Sequence, residues 1–135
     1  MKLTCHSKAC IATPCLHLPS VNAHIEMHSD YFVVNESIKY TELKNLLESR
    51  VDICSLFVNP NAQGYKIDRN LLDKTSVKVI NTCSTGTNHI DKEYCASKGI
   101  SIYSLTRDYE LINNLPSTAE LAFAFLLGLF RNLPA

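Results

Sequence analysis

The sequence is poor in glycine, with four glycines in 135 residues, and this shortage limits what the chain can bind. Nucleotide-binding loops of the GxGxxG and GxxxxGK[ST] types need closely spaced glycines, whose backbone can approach a phosphate group. The four glycines stand far apart, at Gly64, Gly86, Gly99 and Gly128. The sequence therefore lacks the ordinary means of holding the pyrophosphate of a dinucleotide.

The chain also lacks a surplus of charge of either sign. Thirteen Lys and Arg residues balance 13 Asp and Glu residues, which gives a formal net charge of zero. Without an excess of charge there is no long-range field to attract nucleic acid or an anionic membrane, so we expect neither as a partner. The first ten residues, "MKLTCHSKAC", contain no apolar core segment and no export cleavage pattern. A cytoplasmic location is therefore the default expectation.

The six cysteines lack the pairing that metal sites usually show, because no CxxC is present. Cys5, Cys10 and Cys15 recur every five residues, with His6 and His17 nearby. Zinc ligands usually come in closer pairs, so we expect no metal, and a metal or redox site here ranks as a third hypothesis. The other three thiols lie in or beside apolar segments and are expected to pack as small hydrophobes: Cys54, Cys83 and Cys95.

Short apolar runs alternate with segments of helical periodicity along most of the chain. Residues 1–30 are the least readable part, with "KLTCH" a candidate strand and "PSVNAHIEMH" a candidate helix. From residue 31 onward, strands alternate with helices in the order "YFVVN", "TELKNLLES", "VDICSLFV", "DRNLLDK", "VKVINTC", "DKEYCASKG" and "ISIYSL". The predicted strands are continuous apolar runs, which indicates a parallel sheet covered by helices on both faces. The sequence thus predicts an α/β domain with right-handed crossovers.

Local signals mark the ends of the predicted helices. Thr41, Asp68 and Asp91 each stand where an N-cap is expected, since their side-chain oxygens can accept hydrogen bonds from first-turn amides. Gly99, the last residue of "DKEYCASKG", lies just past the end of the helix predicted there, the usual place of a C-terminal glycine. These signals predict where three of the helices begin and where one ends.

The stretch "CSTGTNHID" follows the predicted strand "VKVINTC", and ligands of parallel sheets bind beyond the carboxyl ends of strands, near the point where the strand order reverses. At Gly86 the backbone can approach a ligand closely, and a positive φ would cost nothing. Successive amides in such a turn can form a concave anion site, and Ser84, Thr85 and Thr87 offer hydroxyl donors. The loop therefore suits a carboxylate or a phosphate. A plain strand-to-helix turn has the same composition, and the residues alone leave both interpretations open.

The final predicted helix, within "LPSTAELAFAFLLGLFRNLPA", is apolar on every side. Ser117 and Glu120 have capping-box spacing, and Pro116 fits just before or within the first turn. The apolar run over residues 121–130 is too short to span a bilayer and predicts a buried helix. A helix that is apolar all round must be covered all round. We therefore expect a second subunit, a second domain, or both to cover the side that the sheet does not.

The stretch from about residue 31 to residue 134 resembles the N-terminal half of the D-isomer-specific 2-hydroxyacid dehydrogenases, most of all the phosphoglycerate dehydrogenases. "VKVINTCSTGTNHIDKEYCASKGISIYS" is similar to the family's strand, glycine-containing loop, helix start, turn and following strand. "NNLPSTAELAFAFLLGLFRNLP" is similar to the helix that leads into the cofactor domain. The resemblance implies a flavodoxin-like substrate-binding domain over residues 31–115, with residues 1–30 as a segment of the same domain. It also implies that residues 116–135 are a long apolar interface helix leading to an absent NAD-binding domain.

The resemblance further implies roles for single residues. Six of them match positions that hold the substrate in relatives: Asn59, Asn61, Ser84, Thr85, Gly86 and Asn114. Thr85 and Thr118 match positions that face NAD, which the absent domain would mainly bind. The family's substrate-clamping arginine, histidine base and glutamate partner belong to that domain, so no catalytic residue is assigned here.

Some positions depart from the family's pattern or have a plainer explanation. The segment "NPNAQG" has no arginine, which puts phosphoglycerate in doubt as the substrate. Glu120 matches a position that faces the cofactor domain, but a helix cap explains it equally well. His89 stands where relatives have Asn or Gln, and we interpret it as structural or solvent-facing.

The leading hypothesis is the substrate-binding half of an NAD-dependent oxidoreductase that acts on the CH–OH group of a D-2-hydroxy acid. This half would be a homodimer and inactive alone, with a 2-hydroxy or 2-oxo acid and the NAD-binding domain as its other partners. The second hypothesis is a non-catalytic flavodoxin-like module that binds a small carboxylate or a protein partner.

Overall fold

The computed structural model describes residues 8–11, 19–28, 30–34, 37–59 and 64–131. The chain divides into two units, Met1–Leu105 and Thr106–Ala135. The candidate strand "KLTCH" lies outside the described residues, and a strand is found instead at Lys8–Ile11.

The described part of the first unit is an alternation of strands and helices, as the sequence predicts. In chain order these are β1 (Lys8–Ile11), α1 (Pro19–His28), β2 (Asp30–Val33), α2 (Tyr40–Ser49), β3 (Ile53–Val58), α3 (Arg69–Leu72), β4 (Val79–Thr82), α4 (Lys92–Ser97) and β5 (Ser101–Ser104). A 3₁₀ helix, Leu105–Asp108, comes next, followed by α5 (Tyr109–Asn113) and α6 (Ser117–Arg131). The helix predicted at "PSVNAHIEMH" and the strands and helices predicted from residue 31 to residue 104 are confirmed.

The strands form one parallel sheet in the order β2-β1-β3-β4-β5. This is the strand order of flavodoxin-like doubly wound sheets. With right-handed crossovers it places α1 on one face and the three later helices of the unit on the other. The contact between α2 and α3 agrees with that arrangement. The carboxyl ends of all five strands meet at one edge, which is where the loops that follow them lie.

The core of the first unit is centred on β3 and β4. Ile53, Leu56 and Val58 of β3 and Ile80 of β4 have no solvent exposure. Helices supply further apolar side chains to the same cluster, among them Leu43, Leu47, Leu71, Leu72 and Cys95. Because burial of each large aliphatic side chain contributes roughly 1.5–3 kcal/mol, this cluster fixes the two strands from which the candidate site emerges.

Two of the three predicted helix caps are confirmed. An oxygen of Asp68 accepts a hydrogen bond from the Leu71 amide at 3.0 Å, and an oxygen of Asp91 accepts one from the Tyr94 amide at 2.9 Å. Gly99 has φ 67° just past α4, as expected of a C-terminal glycine.

The third predicted cap, Thr41, is wrong. Helix α2 begins two residues earlier than a Thr41 cap implies, at Tyr40, so Lys39 holds the cap position and its amide donates to the Glu42 carboxylate at 3.4 Å. The Tyr40 hydroxyl donates to Asp68 at 2.7 Å, a long-range contact that holds Tyr40 in the first turn. Tertiary contact therefore outweighs the local capping preference of threonine.

In the second unit, α6 contains Ser117 within its first turn, and the Glu120 amide donates to the Pro116 carbonyl at 2.9 Å. Pro116 thus stands just before the helix. The helix exposes a set of large apolar side chains, each at least 46% exposed: Leu121, Phe123, Phe125, Leu126, Leu127, Leu129 and Phe130. The burial expected from the sequence is not found among the described residues. No helix in the described part of the chain is long and apolar enough to cross a membrane.

Candidate functional site

The loop after β4, residues 83–90, leaves the sheet between the ends of β3 and β5, and we call it the β4 loop. Val58 pairs with Thr82 in the sheet, and Thr82 pairs with Ser104. The Cys83 amide donates to the Val58 carbonyl at 3.2 Å, and the Leu105 amide donates to the Ser84 carbonyl at 3.1 Å. Both neighbouring strand ends therefore hold the start of the loop. The loop lies one strand away from the β1–β3 switch point and not at it.

A chain of side-chain hydrogen bonds fills the inner side of the β4 loop. Thr82 is completely buried, and its hydroxyl oxygen lies 2.9 Å from Ser84 Oγ and 3.0 Å from His89 Nε2. The Ser84 hydroxyl donates in turn to the Gly86 carbonyl at 2.6 Å. The Ser84 hydroxyl is therefore not free to donate to a ligand, which corrects the expectation from sequence. Any contribution of Ser84 to binding must come from its backbone amide.

The same hydrogen bonds orient the amides of the loop. In a planar trans peptide the C=O and N–H groups point in opposite directions. Because Leu105 binds the Ser84 carbonyl and the Ser84 hydroxyl binds the Gly86 carbonyl, the amides of Thr85 and Thr87 point away from these bonds. Within the described residues, the amides of residues 84–87 have no hydrogen-bond acceptor. They are available to an anion.

Gly86 is not in the left-handed region, so the positive φ that glycine would allow there is not adopted. Among the described residues, the glycines with positive φ are Gly64 at 66° and Gly99 at 67°. A Cβ added to Gly86 would meet no heavy atom within 4 Å. The turn itself therefore does not require glycine. Because glycine has no side chain, the exposed backbone at Gly86 borders open space, and a ligand could approach it closely.

The segment before α3 is joined to the β4 loop by a short parallel bridge between Ile67 and Ile90. The Ile67 amide donates to the His89 carbonyl at 2.7 Å, and the Asp91 amide donates to the Ile67 carbonyl at 3.0 Å. This bridge fixes the end of the β4 loop independently of the sheet.

Two tyrosines link the loops that follow β2 and β3. The Tyr65 hydroxyl donates to the Ile38 carbonyl at 3.2 Å, and the ring of Tyr65 packs edge-to-face on Tyr40 with centroids 5.6 Å apart. Burial, and then the hydrogen bond and negative charge of Asp68, raise the pKa of Tyr40 to about 12. Three loops at the carboxyl edge are thus tied together, which makes this edge a rigid base for a site.

His89 is half-buried beneath the loop, and burial lowers its pKa below the usual value, so the ring is neutral at pH 7. Its partner is Thr82, and the sequence offered no reason to pair these two residues. The one available signal was a threonine in a strand that is otherwise mostly apolar.

The other candidate residues are distributed differently. Asn59 directly follows β3, next to the start of the β4 loop, and is half-buried. Asn61 lies outside the described residues. In the second unit, the Asn114 side chain donates to the Glu110 carbonyl at 2.8 Å, and Thr118 lies in the first turn of α6. The pairing of β3 with β4 therefore places Asn59 beside the start of the β4 loop, whereas the Asn114 side chain is bonded within its own helix turn.

A cleft of about 380 Å³ lies between the second half of the β4 loop (Thr87, Asn88 and Ile90), the start of α4 and the segment before α3. Its charged lining is nearly balanced, with Lys66, Lys92, Asp68, Asp91 and Glu93. Asp68 and Asp91 already accept hydrogen bonds from helix amides there. The cleft is less suited to an anion than the unpaired amides of the β4 loop.

The structure describes only part of the cysteine set considered for a metal site. Cys10 lies in β1, whereas Cys5 and Cys15 are outside the described residues. No group of three His, Cys, Asp or Glu side chains that could hold a metal occurs in the described part of the chain. Cys95 is a buried core thiol, as predicted, and burial raises its pKa, but Cys83 is exposed.

The first unit is thus a parallel α/β domain whose β4 loop, at the carboxyl ends of the strands, carries unpaired amides. A sequence profile of the D-isomer specific 2-hydroxyacid dehydrogenase catalytic domain matches residues 16–123. The chain belongs to this family. No curated protein matches the chain in sequence.

Solved structures share the fold. A glyoxylate reductase from Paecilomyes thermophila matches with a TM-score of 0.63 and 18% identity, over 73% of this chain and 31% of that one. An NAD+-bound 3-phosphoglycerate dehydrogenase from Entamoeba histolytica matches with a TM-score of 0.59 and 17% identity, over 73% of this chain and 32% of that one. A D-lactate dehydrogenase from Aquifex aeolicus, complexed with NAD and lactic acid, matches at 0.57 and 25%, over 90% and 33%. This chain spans about a third of the length of these structures.

Proposed function

We propose that this chain is the flavodoxin-like substrate-binding half of an NAD-dependent oxidoreductase acting on a D-2-hydroxy acid, and that the β4 loop holds the substrate carboxylate. The observation that carries the proposal is the set of unpaired amides over residues 84–87 beside the open space at Gly86. Membership of the family supplies the reaction class.

The charge of the loop favours a carboxylate over a phosphate. Residues 83–90 contain no Lys or Arg, and His89 is neutral because burial lowers its pKa. Backbone amides alone suit a singly charged carboxylate better than a phosphate dianion, which is usually met by Arg or Lys. The lack of arginine in "NPNAQG" points the same way, so we propose a short 2-hydroxy or 2-oxo acid in place of phosphoglycerate.

The cofactor would be held mainly outside these residues. The four widely spaced glycines provide no dinucleotide phosphate loop, so this chain does not fit the pyrophosphate of NAD. Thr85 is exposed next to the free amides and would make only a peripheral contact with the nicotinamide end of NAD. We therefore propose that a separate NAD-binding domain supplies the cofactor and the catalytic residues, and that this half alone does not turn over.

The exposed apolar surface of α6 is the proposed contact with that domain or with a second copy of the chain. Ala119, Phe123, Ala124 and Leu127 line a shallow apolar groove on one side of the helix. Phe123 is 62% and Leu127 46% exposed, and contiguous apolar surface of this kind marks an interaction site.

Binding can be tested by nuclear magnetic resonance on the 135-residue chain, with D-lactate and glyoxylate as probes and chloride as the control anion. We expect the amide signals of Thr85, Gly86 and Thr87 to shift with both acids but not with chloride. Thr87 also lines the cleft at the start of α4, so the amides of Thr85 and Gly86 decide the assignment, and those of Lys92 and Glu93 serve as an internal control. Shifts confined to them, or no shifts at all, would refute the site.

The reaction class needs a second experiment. In the native protein that carries this chain, a short 2-oxo acid should cause oxidation of NADH, whereas calorimetry on the chain alone should detect no tight binding of NAD. Carboxylate binding without any NADH-dependent reduction would favour the non-catalytic binding module over the dehydrogenase.

A further inference from the structure

The part-buried series of hydrogen bonds in the β4 loop has one direction, because each hydroxyl has a single hydrogen to donate. Three contacts follow one another: His89 Nε2 to Thr82 Oγ1 at 3.0 Å, Thr82 Oγ1 to Ser84 Oγ at 2.9 Å, and Ser84 Oγ to the Gly86 carbonyl at 2.6 Å. A carbonyl only accepts, so the Ser84 hydrogen goes to Gly86. The Thr82 hydrogen must then go to Ser84. The remaining contact needs a hydrogen from His89 Nε2.

The alternative tautomer does not fit these contacts. If Nε2 carried no hydrogen, Thr82 would have one hydrogen for two acceptors, and one of the close oxygen or nitrogen contacts would place two lone pairs face to face. Ser84 could relieve that contact only by rotating its hydroxyl away from Gly86. The chain of hydrogen bonds therefore runs from His89 to Gly86 and depends on His89 as its first donor.

This direction matters at the site because of the peptide that joins Gly86 to Thr87. The Ser84 hydroxyl holds the Gly86 carbonyl on the side of Ser84, in an exposed hydrogen bond, so the Thr87 amide faces the opposite way, among the unpaired amides of the loop. A free Gly86 carbonyl could turn outward and present an acceptor to the ligand. A carboxylate would then meet a carbonyl oxygen where it needs a donor.

We propose that His89 is a positioning residue for the carboxylate site: its Nε2–H starts a fixed chain through Thr82 and Ser84 that turns the Thr87 amide towards the ligand. This inference rests on the proposed function of the β4 loop as a carboxylate site. His89 does not touch the ligand in this arrangement and acts only through the hydrogen bonds of Thr82 and Ser84.

The tautomer of His89 can be measured without any ligand. Imidazole nitrogen shifts of the 15N-labelled chain at pH 7 should show a protonated Nε2 and an unprotonated Nδ1. A protonated Nδ1 with a bare Nε2 would overturn the proposal, because the chain of hydrogen bonds would then have no first donor. This measurement stands even if the loop binds no carboxylate.

Variants test the consequence for binding. His89→Gln keeps a donor the same number of bonds from Cβ as Nε2, whereas His89→Ala removes it. Thr82→Ser and Thr82→Val form a second matched pair, in which only serine keeps the hydroxyl. We expect D-lactate binding, followed at the Thr85 and Thr87 amides, to weaken roughly three- to tenfold in His89→Ala and Thr82→Val. Binding in His89→Gln and Thr82→Ser should stay close to that of the unmodified chain.

A purely structural His89 gives a different result. Its removal would then lower the free energy of unfolding in His89→Ala and leave the affinity for D-lactate unchanged in the folded protein, which would overturn the proposal. Failure of the proposed function looks different again, since the unmodified chain would then not bind D-lactate at Thr85 and Thr87 at all.

Discussion

Replacing Gly86 with alanine should separate binding from folding. The φ of Gly86 is not in the left-handed region, and a Cβ there meets no heavy atom within 4 Å, so the folded chain accepts alanine without strain. Alanine also restricts the unfolded chain, so the free energy of unfolding should stay unchanged or rise by up to about 1 kcal/mol. In the ligand complex the same methyl group would occupy the space next to the free amides. Loss of one hydrogen bond to a charged group is worth about 1.5–3 kcal/mol, which is roughly a 10- to 100-fold loss of affinity.

Gly99→Ala is the matched control for this experiment. Gly99 has φ 67°, so alanine is strained there and should lower the free energy of unfolding by about 1 kcal/mol with no effect on D-lactate affinity. Urea unfolding gives the stabilities, and amide shifts of Thr85 and Thr87 give the affinities. If Gly86→Ala binds D-lactate as well as the unmodified chain, no ligand approaches over Gly86 and the proposed site is wrong. If it unfolds as easily as Gly99→Ala, the conformation assigned to the loop is wrong.

Three further outcomes are expected. Asp91→Ala removes the cap on the Tyr94 amide and should destabilise the chain by about 1 kcal/mol in urea unfolding, whereas Glu93→Ala, an exposed neighbour, should change little. Burial lowers the pKa of His89, so His89 binds a proton more readily in the unfolded chain than in the folded one, and the free energy of unfolding should fall as the pH drops below about 6.5. His89→Gln should lose this part of the pH dependence. Equal pH profiles of the variant and the unmodified chain would contradict the prediction. Phe123→Asp should leave the helix content by circular dichroism unchanged and abolish concentration-dependent association in sedimentation velocity; a parent chain that never associates would rule out a second copy as the cover of α6.

Most of the fold was predictable from sequence because its main signals are local. Continuous apolar runs such as β3, and capping residues such as Asp68 and Asp91, identify elements without knowledge of their neighbours. Strand β1 was missed, since "KACI" contains lysine and alanine and carries little apolar pattern. The start of α2 was misplaced because a distant contact, between Tyr40 and Asp68, decides it.

The position of the β4 loop was predictable from sequence, but the polar groups that it leaves unpaired were not. A loop with Gly86 and several hydroxyls after a strand points to the carboxyl edge of a parallel sheet. Which donors remain free there depends on pairings across the fold, such as the Leu105 amide with the Ser84 carbonyl. The composition suggested hydroxyl donors, whereas the structure uses the Ser84 hydroxyl internally and leaves backbone amides open. The apolar side chains of α6 are exposed, and the partner proposed to cover them lies outside the chain, so no pattern within the chain could identify it.

Thr82 shows why the inner side of the loop matters to its outer side. In a fully buried strand position, valine has the shape of threonine and no polar group to bury, so it would serve the sheet at least as well. A buried hydroxyl is tolerated only when it is hydrogen-bonded, and the bonds of Thr82 go to Ser84 and His89, both in the β4 loop. The polar residue at this strand end therefore contributes to the shape of the loop and little to the stability of the sheet. That shape turns the amides of Thr85 and Thr87 away from these bonds, so the proposed anion site would depend on hydrogen bonds that its ligand does not contact.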